Sequence, residues 1–328
     1  MRPTACDAWL YRIPSWRPAA GRSTIVQQHP LSTTQQSLTD IISKGKPVAV
    51  ESTKLGLEDL KLKATEIRKK IIKITTEAGS GHPSSSLSAT EIVTALFFGG
   101  YVRLSKDNPH APDRDRFVLS KGHAVPVLYA ALAEAGFFSM EEIMTLRKLG
   151  SPFEGHPNFA RGLPGIEAST GSLGQGLSVG LGMALALQID KLDSHVYVLT
   201  GDGEMGEGQI WEAIAAAGFY KTSNLTLIVD QNAYQQTGAT AKVLDLTPFA
   251  PKIEAFGWHV QTIEGNDMAQ AAKALETARG VKDQPTCIVS KTQKGFGILP
   301  VLEKEGDLNF HGKPLPPKLA EEALALLA

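Results

Sequence analysis

The chain has 328 residues, 42% of them hydrophobic and 20% charged, with a formal net charge of −1. That composition belongs to a globular protein with a substantial core, and it contains no basic stripe that would recruit nucleic acid. The longest apolar runs fall far short of the roughly 20 residues that span a bilayer, so no membrane partner is expected. Two widely separated cysteines, Cys6 and Cys287, fit neither a disulfide framework nor a zinc site, and a reducing, cytoplasmic setting is expected.

Residues 1–56 read as an irregular N-terminal extension. They hold Pro3, Pro14, Pro18, Pro30 and Pro47, and Arg2, Arg12, Arg17 and Arg22 outnumber Asp7 in their first half. Such an Arg-rich, acid-poor stretch also suits a transit peptide, so a targeting segment and an early start remain alternatives. From Leu57 the pattern becomes regular. Leu60, Ala64, Ile67, Ile71 and Ile74 mark one face of a helix. Ser88 with Glu91, and Ser139 with Glu142, have capping-box spacing, predicting a helix over "ATEIVTALFF" and another running to Gly150. "DRFVLS" reads as a short buried strand, followed by a helix ending at Gly136. A glycine-opened helix follows in "GSLGQGLSVGLGMALALQIDK". Short apolar runs ("HVYVLT", "LTLIVD", "WHVQTIE", "PTCIVSK") then alternate with helical segments. The expectation is one α/β domain over 57–328, a doubly wound and mainly parallel sheet flanked by helices.

Two strand ends stand out. "HVYVLT" delivers Gly201-Asp202-Gly203, and "LTLIVD" delivers Asp230-Gln231-Asn232. Ligands of open parallel sheets bind beyond the carboxyl ends of strands. If the two strands are neighbours, Asp202 and Asn232 reach one ligand. A carboxylate and an amide oxygen are hard donors that suit Mg²⁺ or Ca²⁺ rather than zinc. Either residue alone is more often a turn residue, and the paired arrangement is the specific signal.

The GDG turn and an asparagine 232 − 202 = 30 residues later resemble the thiamine diphosphate motif, and the flanking "GDGEMGEGQIWEA" and "DQNAYQQTG" resemble transketolase. The resemblance continues through "SGHP" (80–83), "LSKGHA" (119–124), "GHPNF" (155–159), "STGSLGQGLS" (169–178), "KTQKGFG" (291–297) and "FHGKPL" (310–315), in the family's order. It implies the thiamine diphosphate-binding fold, and it implies that Asp202, Asn232 and the backbone carbonyl of Tyr234 hold Mg²⁺, with Ca²⁺ or Mn²⁺ as substitutes. It implies that Gly203, Gly171, Leu173, His123 and His311 contact thiamine diphosphate. It places His82, His123, His156 and His311 along the substrate channel and Glu207 at a link between two active sites. Histidine titrates near neutrality, so it can donate to a developing oxyanion or take a hydroxyl proton. His29, His110, His195 and His259 are read as structural, and Trp211 as helix packing.

A full-length transketolase is about twice this length, and the glutamate that activates the cofactor belongs to its second domain. The resemblance therefore implies an amino-terminal subunit of a split transketolase, working on sugar phosphates in the pentose phosphate pathway. It would be active only with a C-terminal, pyrimidine-binding partner, as an α2β2 heterotetramer. Serines at 84–86, Gln231, Ala233 and Ser172 depart from common family residues. Other thiamine diphosphate enzymes, a related ketol transferase or a 2-oxoacid enzyme subunit, and a non-catalytic cofactor-binding regulatory subunit are the alternatives.

Overall fold

The computed structural model describes residues 54–304, 310 and 312–328. Nearly all of the extension expected at 1–56 lies outside the described residues. Seven helices of nine residues or more are labelled in chain order: α1 (Leu57–Glu77), α2 (Thr90–Phe98), α3 (Val125–Glu134), α4 (Gln175–Ile189), α5 (Gly208–Phe219), α6 (Met268–Gly280) and α7 (Pro317–Leu326). Five strands accompany them: β1 (Arg116–Leu119), β2 (Val196–Gly201), β3 (Leu225–Gln231), β4 (His259–Glu264) and β5 (Thr286–Lys291).

The strands form one sheet in the order β1-β2-β3-β5-β4, with every neighbouring pair parallel. β2 and β3 lie inside the sheet and are nearly continuous apolar runs because both faces are covered. Alternate side chains therefore enter different cores. Tyr197, Leu199, Ile228 and Ile288 join the core made with α1, α2, α3, α6 and α7. Val196, Val198, Leu227, Val229 and Val289 join the opposite core with α4 and α5. This two-sided burial is the doubly wound arrangement expected from the alternating pattern. The predicted face of α1 is buried throughout, at Leu60, Ala64, Ile67, Ile71 and Ile74. Full burial of each of its isoleucines contributes about 1.5–3 kcal/mol relative to exposure.

Two local expectations are corrected. Ser88 does not cap α2. It closes the short helix Pro83–Leu87, and its hydroxyl donates to Ser85 O at 3.1 Å and Asp230 Oδ2 at 2.7 Å. Glu91 pairs with buried Arg68 instead of reaching back to a cap. At the second site the Ser139–Glu142 capping box forms, but its helix spans only Met140–Ile143 and does not reach Gly150. Met144 closes the helix, and three residues later Arg147 turns to a left-handed φ of 59° with its N–H donating to Phe153 O at 2.8 Å, so the chain does not resume a helix before Gly150.

Candidate active site

The register pairs Gly201 with Asp230, so β2 and β3 release their two turns side by side at the carboxyl edge of the sheet. The amide of Asp202 donates to Asp230 O at 3.1 Å. The Asp202 carboxylate accepts from Gly203 N at 2.9 Å, Ala233 N at 2.9 Å and Thr240 Oγ1 at 3.1 Å. Asn232 donates to Asp230 Oδ2 at 3.0 Å and accepts from Tyr234 N at 3.1 Å. The two turns are thus one hydrogen-bonded unit, and Asp202 and Asn232 are both buried. Burial, and then the negative charge of Asp230, raise the Asp202 carboxyl to about 6.

Asp230 carries the charge that shapes this floor. Burial opposes its ionisation, but the Lys121 ammonium and the hydroxyls of Thr292 and Ser88 outweigh it and hold its carboxyl below the usual range. Glu204 ties three loops together. Its carboxylate accepts from Gly174 N at 2.8 Å, Gly201 N at 3.1 Å and the Ser120 hydroxyl, while burial raises its pKa. Gly174 is the left-handed N-cap of α4. A side chain there would collide with Glu207 and Gln209, which explains the glycine.

A cleft of about 480 Å³ opens above these groups. Asp202, Gly203, Asn232 and Tyr234 line its floor, and Gly171, Leu173 and Glu207 line its wall. His82, His123 and His156 face the same space. The rings of His82 and His123 stand 5.1 Å apart. His156 packs over Gly171, where an added Cβ would lie 2.7 Å from its Cδ2. Burial, then the positive charge of Arg147, lowers the proton affinity of His156. His311 lies outside the described residues, although its neighbour Gly312 lines the cleft. Ten of the eleven residues singled out from the sequence therefore meet in one cavity.

Lys121, Glu204 and Lys294 also line this cleft and were not singled out. All three stand inside quoted motifs. What hid them was their partners: Lys121 meets Asp230 from a distant strand, and buried Lys294 sits 5.8 Å from the Tyr234 ring. His195 is buried beside Thr226, with Nε2 2.7 Å from its hydroxyl, and His259 lies in β4. His110 borders a separate hollow of about 320 Å³. Trp211 donates to Met205 O at 2.8 Å, so it props the turn after Asp202 as well as packing.

Residues 60–324 match the family described as "Transketolase, thiamine diphosphate binding domain". The chain is 45% identical over 269 residues to the transketolase of Pongo abelii, covering 82% of this chain but 42% of that protein. The chain thus spans less than half the length of that relative. It is 41% identical over 269 residues to the 6-deoxy-6-sulfo-D-fructose transketolase subunit SqwG of Clostridium sp. (strain MSTE9), covering 82% of this chain and 96% of that subunit. Among solved structures, transketolase from Campylobacter jejuni superposes with a TM-score of 0.75 at 31% identity, over 83% of this chain and 43% of that one. The parallel sheet, the paired turns and these relationships together make the chain a member of the transketolase thiamine diphosphate-binding domain family.

Proposed function

We propose that this chain is the diphosphate-binding half of a transketolase that moves a two-carbon ketol unit from a ketose phosphate to an aldose phosphate. The other half comes from a C-terminal, pyrimidine-binding subunit in an α2β2 assembly. The observation that carries this reading is the convergence of Asp202 and Asn232 beneath His82, His123 and His156 in one cleft. The partner is supported by the chain's near-full coverage of a relative named as a transketolase subunit.

The donor set fits Mg²⁺. Asp202 is a buried carboxylate whose charged neighbour is a second carboxylate, so the floor gains from a divalent cation. Asp202 and Asn232 would hold the ion through side-chain oxygens and Tyr234 through its carbonyl. A cation held in this way takes its remaining oxygens from phosphate and water. Thiamine diphosphate, when bound, supplies the nucleophilic carbon that carries the two-carbon unit. Lys294 lends positive charge to the wall that faces a diphosphate. His82 and His123 are close enough to act on one oxygen, donating as its charge develops or accepting a hydroxyl proton. His156, whose proton affinity is lowered by burial and then by Arg147, binds substrate hydroxyls.

Purifying the chain alone, then with its co-purifying partner, and assaying ketol transfer with added thiamine diphosphate and Mg²⁺ tests the proposal. Activity only in the presence of the partner is expected. Full activity from this chain alone overturns the split arrangement.

A further inference from the structure

Arg147 holds a left-handed backbone, a conformation unfavourable for a residue with a side chain, in the turn that ends the Met140–Ile143 helix. Backbone of this kind persists where the surroundings demand it, often near function. The side chain it directs reaches two loops of similar sequence. Nη1 donates to Ser80 Oγ at 3.3 Å in "SGHP". Nη2 donates to Gly155 O at 3.3 Å in "EGHP". Both acceptors are uncharged. The guanidinium fills the space over Gly155, where an added Cβ would stand 2.2 Å from its Cζ. His82 lies two residues beyond Ser80, and His156 follows Gly155 directly.

We propose that Arg147 is a positioning residue that clamps these two histidine-bearing loops together, so that His82 and His156 address one substrate in the cleft. The planar guanidinium suits this task because its donors diverge at a fixed angle toward two loops. Burial lowers the proton affinity of His156, and the Arg147 charge beside it adds to the preference for the neutral ring, in which one nitrogen can accept. The substrate part of the inference rests on the transketolase reading, whereas the clamp itself rests on geometry.

Arg147→Gly separates clamp from scaffold, because glycine favours the left-handed backbone while deleting both bonds. Arg147→Gln and Arg147→Lys complete the set. In the full chain without partner, amide hydrogen exchange at residues 80–82 and at 154–156 and 158 should quicken several-fold in Arg147→Gly, with Tm no lower than in the unaltered protein. In the partnered enzyme, KM for the ketose donor should rise about tenfold, kcat should change less, and cofactor affinity should stay within twofold. Arg147→Gln should resemble Arg147→Gly in KM, and Arg147→Lys should fall between it and the unaltered enzyme because it keeps charge but not the fork. Unchanged exchange at either loop overturns the clamp, and a KM within twofold of the unaltered enzyme overturns its role toward substrate. If the unaltered assembly shows no ketol transfer, the functional reading fails while exchange still decides the clamp.

Discussion

Lys121 and Asp230 form an ion pair in which each side chain is 1% exposed, directly beneath the cleft. A buried pair of this kind need not stabilise more than an apolar pair, but breaking it strands a charge. Lys121→Met and Asp230→Asn should each lower unfolding free energy by about 3–5 kcal/mol. The double variant should lose less than the sum, as read by denaturant titration of the full chain. Additive losses would mean that the two charges are not coupled.

Asp202→Ala removes the carboxylate that joins the two turns. Calorimetric titration should show Mg²⁺-dependent thiamine diphosphate binding lost, roughly a hundredfold or more in affinity, with circular dichroism unchanged. Unaltered affinity would remove Asp202 from the metal site.

His195 makes the fold sensitive to acid. Burial, followed by the charges of Arg279, Lys282 and Arg103, pushes its pKa well below 6.5. The native state refuses a proton that the unfolded chain accepts, so this contribution is present above about pH 6.5 and is lost as pH falls below it. The loss approaches about 1.4 kcal/mol per pH unit while the folded ring stays neutral. His195→Gln should flatten the dependence of Tm on pH between 6.5 and 5. An unchanged slope would assign the acid sensitivity elsewhere.

Gly218 and Gly182 lie in neighbouring helices and should respond oppositely to alanine. A Cβ at Gly218 would stand 1.8 Å from Phe256 O, whereas one at Gly182 meets nothing within 4 Å. Gly218→Ala should destabilise the chain by about 3 kcal/mol or more. Gly182→Ala should stabilise α4 by about 0.5–1 kcal/mol. Thermal melts of the two variants side by side check both signs.

Much of the site was readable in the sequence because its residues sit at fixed places in local elements. Asp202 and Asn232 follow strands, and a strand's end can be read from where its apolar run stops. His82, His123 and His156 stand out through motifs rather than through any local physical signal, since a single histidine in a turn is ordinarily structural, and the structure brings the three into one cleft. Ser88 was misread because capping-box spacing is local, whereas its hydroxyl is claimed by Asp230 from across the fold. The helix expected to reach Gly150 stops early for a similar reason: the capping box forms, but the helix closes at Met144, and Arg147 beyond it pairs with Phe153 and two loops.

Periodicity and composition by themselves determined a parallel α/β sheet covered on both faces, because side-chain alternation and run length depend only on neighbours along the chain. They also determined that two polar turns leave consecutive strands. Only the tertiary structure decided that these strands are adjacent and in a register that joins Asp202 to Ala233. It alone decided that Lys121 neutralises Asp230, that Glu204 gathers three loops, and that Arg147 spans the loops of two histidines. The physical reason is one of range: charge pairing and hydrogen bonding between distant segments depend on where the chain returns in space, which no local pattern encodes.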